Sequence, residues 1–120
     1  MSLQEFANKF VDMCNDRKNF DVMQTMYAPD IVSVEPTGKQ TVGQAAVIEK
    51  SKNWAAKNEI HGETVQGPYL NAPDQFAAQI TFEVTRKDSG KRETLDEIAV
   101  YTVKDNLIVR EQFFFGGESW

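Results

Sequence analysis

The feature that most constrains the fold of this chain is a change in the period of its apolar residues near residue 60. Before this point apolar residues recur every three or four positions, as on one face of an amphipathic helix. After it they alternate with polar residues, most clearly at 75–87, as in a strand with one buried face. The order of the two patterns predicts an α+β domain in which the helices come first and an antiparallel sheet follows.

The first half of the chain contains three helical segments and a short strand. We predict helices at 3–16, at 20–27 and from Gly43 onward, a strand at 31–35 and a loop at 37–40. Ser2 followed by Glu5 is the pattern of a capping box, which supports the start of the first helix. Pro29 ends the second helix, because the residue before a proline disfavours helical geometry.

The second half is a meander of strands joined by short turns. The predicted strands are 60–70, 75–87, 92–104 and 107–115. Gly62, Gly67 and Pro68 interrupt the first of them, which indicates bulges or an irregular edge. Asp105-Asn106 is typical of a two-residue hairpin turn between the last two strands.

Composition narrows the function classes. A chain of 120 residues is expected to form a single domain, 1–120. Its net charge of −5 makes electrostatic binding to nucleic acid or to an anionic membrane unfavourable. Cys14 and His61 are the only cysteine and the only histidine, which excludes an internal disulfide and sites built from cysteine or histidine clusters. No nucleotide or metal motif is present, so we expect no metal and no cofactor. The chain has no secretory signal pattern and no long apolar run, and a cytoplasmic location is expected.

The order of these elements resembles the nuclear transport factor 2-like superfamily, which includes the SnoaL-like proteins and the ketosteroid isomerases. The segment YAPDIVSVEP at 27–36, the helix opened by Gly43 and the final FFFG at 113–116 carry the resemblance, which covers essentially the whole chain. It implies a cone-shaped roll, in which three N-terminal helices pack on the concave face of a curved, mostly antiparallel sheet. It also implies a deep pocket between the helices and that face.

Glu35 is the first candidate for a catalytic residue. The resemblance places it where the isomerase pattern has its catalytic aspartate, just before Pro36. A carboxylate at the end of a strand under an apolar lid is desolvated, which makes it a competent base near neutral pH. The alternative is a solvated carboxylate beside a turn.

The isomerase pattern also has two hydrogen-bond donors for the developing oxyanion, and here the chain departs from it. The matching positions lie near Val11 and Ala99, and neither side chain can donate a hydrogen bond. One such donor contributes about 3–4 kcal/mol in well-studied oxyanion holes. This departure argues against steroid isomerisation.

Strand alternation indicates which other side chains face the pocket. In the last strand the more apolar, inward set is Leu107, Val109, Glu111, Phe113 and Phe115, opposite an outward set of Ile108, Arg110, Gln112 and Phe114. In 92–104 the pattern alone is close to a tie, and the resemblance favours an inward set of Leu95, Glu97, Ala99, Tyr101 and Val103. The predicted substrate-binding residues are Trp54, Phe82, Val84, Glu97, Ala99, Glu111, Phe113 and Phe115.

The two inward glutamates allow two interpretations. Glu97 and Glu111 form a polar cluster with Glu35 and Tyr101 inside the apolar cup, or they pair with Arg92 or Arg110 near the strand ends or lie at the open rim. Acids are rarely buried without a partner, which favours the second interpretation.

His61, the lysines of the third helix and Cys14 also have two interpretations each. His61 is either a proton shuttle or a partly exposed strand residue. Lys50, Lys52 and Lys57 are interpreted as a solvated helix face. Cys14 is interpreted as a small core residue.

The outer face of the predicted sheet is half apolar, because Phe114 lies on it together with Ile98 and Val100. An apolar sheet face needs a cover, so a homodimer packed sheet to sheet is expected.

These observations leave three functional hypotheses. The first is a SnoaL-like enzyme that removes a proton from a small apolar carbonyl compound, with Glu35 as base and Tyr101 or His61 as hydrogen-bond donor. The second is a non-catalytic module that binds a small apolar ligand. The third is a protein-interaction domain that uses its sheet face, as the transport factors do.

Overall fold

Three helices and six strands make up the protein in the computed structural model, which describes residues 1–116. The helices are α1 (Leu3–Asn15), α2 (Asn19–Thr25) and α3 (Gln44–Lys57). The strands are β1 (Tyr27–Val34), β2 (Gln40–Val42), β3 (Asn58–Asn71), β4 (Gln75–Arg86), β5 (Arg92–Lys104) and β6 (Leu107–Phe114). Within the described part of the chain, none of the helices has the length and apolar character that crossing a membrane requires.

The six strands form one sheet in the order β2-β1-β6-β5-β4-β3. All neighbouring strands are antiparallel except β1 and β6, which are parallel. The predicted α+β class and the mostly antiparallel sheet under three helices are therefore confirmed.

Several local predictions are confirmed by the backbone. Ser2 and Glu5 form the capping box of α1, with each side chain accepting a hydrogen bond from the other residue's backbone. Gly43 caps α3 at a φ of 98°, a conformation that glycine adopts without a steric cost. Asp105 and Asn106 have φ values of 52° and 60°, as the predicted two-residue hairpin turn requires.

Other local predictions need correction around β1. Tyr27 belongs to β1 and not to the second helix, because α2 ends at Thr25. The predicted loop 37–40 is shorter, since Gln40 already starts β2, which pairs antiparallel with the end of β1. This extra strand is three residues long, too short to leave a periodic signal.

The alternation predicted for the last strand is wrong at Ile108. Ile108 was expected on the outer face and Glu111 on the inner face. Both residues are buried in the structure. A β-bulge explains both positions: Thr102 pairs with Arg110 and Val103 with Ile108, so that Val109 is an extra residue. Because of this bulge, Ile108 and Glu111 point to the same side of the sheet although they are three positions apart.

The core lies between α1 and the concave face of the sheet. The rings of Phe10, Phe76 and Tyr101 meet there, with centroid distances of 4.5 Å between Phe10 and Tyr101 and 5.0 Å between Phe76 and Tyr101. The predicted inner face of β4 is confirmed, because its five alternate residues are all buried: Phe76, Ala78, Ile80, Phe82 and Val84. Between this core and α3, the helices and the sheet leave an open space.

Candidate active site

A cavity of about 930 Å³ lies between the three helices and the concave face of the sheet. Its wall is largely apolar, with contributions from every helix and from the inner strands. The tilted ring pair of Trp54 on α3 and Phe82 on β4, with centroids 5.1 Å apart, forms part of this wall. A volume of this size is ample for a small organic molecule.

Most of the predicted site residues line this cavity, and four do not. Those in the lining are Glu35, Trp54, Phe82, Glu97, Tyr101, Phe113 and Phe115. Val84, Ala99 and Glu111 lie on the inner face but are covered by other side chains. His61 is exposed, and its Nε2 lies 2.7 Å from Thr85 Oγ1 on the neighbouring strand β4. The structure therefore does not bring His61 to the cavity.

Glu97 on β5 is the acid with the most unusual environment in the cavity wall. Burial raises its pKa to about 8, the charge of Glu111 acts in the same direction, and Lys50 opposes them. Among residues 1–116 no side chain donates a hydrogen bond to this carboxyl. A carboxyl with such a pKa is mostly protonated at neutral pH, and it can then donate a hydrogen bond to a molecule in the cavity.

Glu111 on β6 is also acidic and buried, but its carboxyl is hydrogen-bonded. The hydroxyl of Tyr27 donates a short hydrogen bond to Glu111 Oε1, and Ser33 donates a second one. Burial raises the pKa of Glu111, while these two donors and Lys50 lower it. Tyr27, Ser33 and Glu111 are all at most 5% exposed, so this group is part of the interior.

Lys50 on α3 connects this interior group to the cavity. Its Nζ donates a hydrogen bond of 2.9 Å to Ser33 Oγ and lies 3.9 Å from Glu35 Oε1. It also lies 5.7 Å from the centre of the Phe113 ring, within the range of a cation–π contact. The interpretation of Lys50 as part of a solvated helix face is therefore wrong, whereas Lys52 and Lys57 are exposed.

Glu35 follows the end of β1 at the edge of the cavity. Its side chain is 29% exposed, as is that of its partner Lys50. It is thus neither in bulk water nor fully desolvated. Its carboxylate faces both the cavity and an ammonium group, an arrangement that a general base can use if a substrate approaches from the cavity.

The two buried side chains Tyr101 and Cys14 at the inner end of the cavity stay neutral. Burial and the charge of Glu111 raise the pKa of the Tyr101 phenol well above its usual value. Burial likewise raises the pKa of the Cys14 thiol, and its place in the core confirms the interpretation of this cysteine as a small core residue.

The alternative pairing of Glu97 and Glu111 with arginines is wrong. Arg92 lies 3.9 Å from Glu83, and Arg110 donates a hydrogen bond to Gln112. Both arginines are exposed, whereas the two glutamates point to the other side of the sheet. Within residues 1–116 there is no group of three or more potential ligands arranged to hold a metal ion.

Sequence reasoning missed one pair of cavity residues, Asn19 and Glu63. Glu63 on β3 lines the cavity, and its Oε2 accepts a hydrogen bond of 2.9 Å from Asn19 Nδ2. Burial raises the pKa of Glu63, and Asn19 and Arg17 oppose this shift. The signal was Gly62: a bulge there makes His61 an extra residue, since Ile60 pairs with Val84 and Glu63 with Phe82.

Comparison with solved structures shows how widely this architecture recurs. A protein from Mesorhizobium loti, proposed to be a SnoaL-like polyketide cyclase, is 37% identical and superposes with a TM-score of 0.89 over 96% of this chain and 100% of its own. A proposed isomerase from Bacillus subtilis is 18% identical, with a TM-score of 0.75 over 93% of this chain and 84% of its own.

A third solved structure, from Catenulispora acidiphila, has a ketosteroid isomerase-like fold and a bound trimethylamine. It is 14% identical, with a TM-score of 0.74 over 97% of this chain and 88% of its own. This protein and the one from Bacillus subtilis share the fold with this chain.

No curated protein matches this sequence. The model of the SnoaL-like domain matches residues 1–115, nearly the whole chain. The protein is thus a member of the SnoaL-like domain family.

Proposed function

We propose that this protein is an acid–base enzyme that removes a proton from the carbon next to the carbonyl group of a small, apolar substrate. Glu35 is the base, and Glu97 is the hydrogen-bond donor to the carbonyl oxygen. The observation that carries the proposal is the Glu97 carboxyl, which faces the cavity without a partner among the described side chains and has a pKa of about 8. Perturbed acids of this kind cluster at catalytic sites.

The reaction needs both groups in different protonation states. The Glu35 carboxylate takes the proton, the electrons of the C–H bond form a carbon–carbon double bond, and the carbonyl oxygen becomes negative. The protonated Glu97 then donates a hydrogen bond to that oxygen, in a site where such a bond is stronger than in water. Return of the proton to a different carbon completes an isomerisation.

Glu97 can also replace one of the two hydrogen-bond donors that the isomerase pattern has and that this chain lacks. Ala99 is fully buried and contributes only a methyl group. Glu97 lies two residues earlier on the same strand and therefore on the same face. It supplies a donor close to the position where the pattern has one, which supports proton abstraction without requiring a steroid substrate.

Exchange of carbon-bound hydrogen in heavy water tests the proposal. We expect the protein to accelerate deuterium incorporation next to the carbonyl of 4-phenylcyclohexanone or 2-tetralone, as followed by proton NMR. Glu35→Gln and Glu97→Leu should each lower the rate by about 100-fold, as expected for loss of a base or of an oxyanion donor. Glu59→Gln is the matched control, because Glu59 is exposed on β3 and should leave the rate unchanged.

The proposal is contradicted if neither ketone exchanges faster than in buffer, or if Glu35→Gln keeps the wild-type rate. A non-catalytic ligand-binding role is the second candidate. The ion pair of Glu35 with Lys50 favours it, because a carboxylate that is paired with an ammonium group is less available to accept a proton from a substrate. In that case the ketones bind without exchanging.

We also propose that the outer face of the sheet forms a homodimer. Phe114 and Ile98 pair across β6 and β5 and are 50% and 41% exposed, and Tyr69 at the β3 edge is 58% exposed. Sedimentation should show a dimer for the wild type and a monomer for Phe114→Glu, since the new charge would be buried in the interface. An unchanged assembly state would remove the sheet-to-sheet dimer.

A further inference from the structure

The ammonium group of Lys50 is held in the cavity wall by contacts that do not involve the candidate base. Its Nζ donates a hydrogen bond of 2.9 Å to Ser33 Oγ and lies 5.7 Å from the centre of the Phe113 ring. Ser33 is fully buried, and its hydroxyl hydrogen is used in the bond to Glu111, so its oxygen can only accept from Lys50. Loss of the charge on Glu35 would therefore leave the ammonium group in place.

Lys50 lies between the two groups that act in the proposed reaction. Its Nζ is 3.9 Å from Glu35 Oε1 on one side. On the other side, Phe113 on β6 pairs with Ala99 on β5, two residues after Glu97. Burial raises the pKa of Glu97, and the charge of Lys50 opposes this rise, so the ammonium acts electrostatically on that carboxyl as well. Glu35, Lys50 and Glu97 all line the cavity.

We propose that Lys50 is a further catalytic residue, whose positive charge stabilises the enolate anion of the substrate. This inference rests on the proposed proton abstraction. The Glu35 carboxylate takes the proton, the electron pair of the C–H bond forms the carbon–carbon double bond, and the negative charge moves to the carbonyl oxygen. The enolate then replaces Glu35 as the counter-ion of the ammonium group. The cavity is thereby a binding site for one class of anion, an apolar enolate or phenolate.

The size of the effect depends on the compensation of charge inside the cavity. Before the reaction Glu35 and Lys50 form a neutral pair, and afterwards the enolate and Lys50 do so in the same surroundings. Without Lys50, the negative oxygen would face two uncharged acids, Glu97 and the protonated Glu35. An anion in an apolar site without a counter-ion is costly, whereas a positive group that is already in position stabilises it without reorientation.

Lys50 differs in this respect from the other basic residues of the cavity lining, which are Arg17, Lys39 and Lys57. These three side chains are exposed, and within residues 1–116 none of them forms an ion pair with Glu35. The carbon that loses the proton is bonded to the carbonyl carbon, so a group that stabilises the oxygen must lie close to the base. Among the four basic residues, Lys50 meets this condition.

Deuterium exchange of 2-tetralone in heavy water is the first test. Lys50→Met keeps the aliphatic chain and removes the charge. It should lower kcat about 100-fold with little change in KM, since the enolate exists only after the proton has left the carbon. Lys50→Arg keeps a positive charge and should retain more of the rate than Lys50→Met. Lys52→Met is the matched control, because Lys52 is exposed on the same helix and lies outside the cavity lining.

A binding measurement tests the anion site without turnover. The probe is 6-cyano-2-naphthol, an aromatic counterpart of the enol of 2-tetralone, whose neutral and ionised forms differ in absorbance. Glu35→Gln supplies the uncharged side chain that the base has after it takes the proton. In this variant the ratio of ionised to neutral bound probe at neutral pH should be about 10-fold higher than in Glu35→Gln combined with Lys50→Met. Glu35→Gln combined with Lys52→Met should keep the full ratio.

The two measurements distinguish failure of this inference from failure of the proposed function. If 2-tetralone exchanges no deuterium but the ionised probe binds in a way that depends on Lys50, the catalytic function fails and the anion site stands. If the wild type exchanges and Lys50→Met keeps its rate, or if the bound probe ionises equally in the two double variants, the role of Lys50 is overturned and proton abstraction by Glu35 stands.

Discussion

Two carboxyl groups on neighbouring strands of the same sheet face, Glu111 on β6 and Glu97 on β5, have opposite surroundings. Glu111 accepts hydrogen bonds from Tyr27 and Ser33 and is 2% exposed. Glu97 faces the cavity, and none of the side chains in residues 1–116 donates a hydrogen bond to it. A buried acid with its own donors contributes to structure, whereas a buried acid without them is available to a ligand.

Removal of the Glu111 side chain should have the largest effect on stability. Glu111→Ala leaves the hydroxyls of Tyr27 and Ser33 without their acceptor and leaves a void in the interior. We expect the free energy of unfolding to fall by about 4 kcal/mol in urea denaturation at neutral pH. Glu97→Ala should lower it far less or even raise it, since no donor loses a partner and the variant lacks an acid whose burial is unfavourable at neutral pH. Equal losses in the two variants would abolish the distinction between the two carboxyls.

The second-largest effect is expected in the pH dependence of stability, which should distinguish Glu97 from Glu111. The pKa of Glu97 is raised from 4.5 to about 8 by burial, so between these values the folded state binds more protons than the unfolded state. The contribution of this group is therefore fully present below about pH 4.5 and is lost as the pH rises to about 8.

Glu97→Gln should remove this loss, because an amide does not titrate. The gap in unfolding free energy between wild type and variant should change by about 3 kcal/mol from about pH 5 to about pH 8, in favour of the variant at high pH. Parallel stability curves for the two proteins would show that Glu97 does not lose its charge on folding.

A smaller effect is expected from Lys50, whose positive charge acts on both carboxyl groups. Its ammonium lowers the pKa of Glu97 and also that of Glu111. Lys50→Met keeps the aliphatic chain of this residue and removes the charge, so the pKa of Glu97 should rise further. Lys52→Met, at an exposed position of the same helix, is the control and should leave it unchanged. A titration of Glu97 that is identical in both variants would place Lys50 outside its electrostatic environment.

The fold was predictable because its signals are local and repeated. The change of period near residue 60 separates helices from strands, and Gly43 and Asp105-Asn106 mark a helix start and a hairpin turn. The strong alternation in β4 determines its inner face. These features depend on residues that are close in sequence.

The site was predictable only where alternation is unbroken. Glu97 and Tyr101 lie on an uninterrupted part of β5, where the pattern was close to a tie and the resemblance favoured the inward position that the structure shows. Bulges at His61 and Val109 each add one residue and invert the parity, which hid Glu63 and misplaced Ile108. The sequence shows glycines near the first bulge but not where the register changes.

The role of Lys50 was not predictable from its own helix. Lys50, Lys52 and Lys57 look alike in the sequence, and only Lys50 is close to Ser33 and Glu35. That proximity depends on how α3 packs against β1. The Tyr27–Glu111 pair was hidden for a similar reason, since it joins residues 84 positions apart through the parallel pairing of β1 and β6.

Titration of the Glu97 side chain by carbon-detected NMR tests the central claim most directly. The carboxyl resonance is identified by its absence in Glu97→Gln, and its shift is followed from about pH 3 to about pH 10. A midpoint near pH 8 is the expected result, since the carboxyl lies in the cavity wall and is mostly protonated at neutral pH. A midpoint near 4.5, the ordinary value for this group, would contradict the account, because Glu97 could then not donate the hydrogen bond on which the proposed reaction depends.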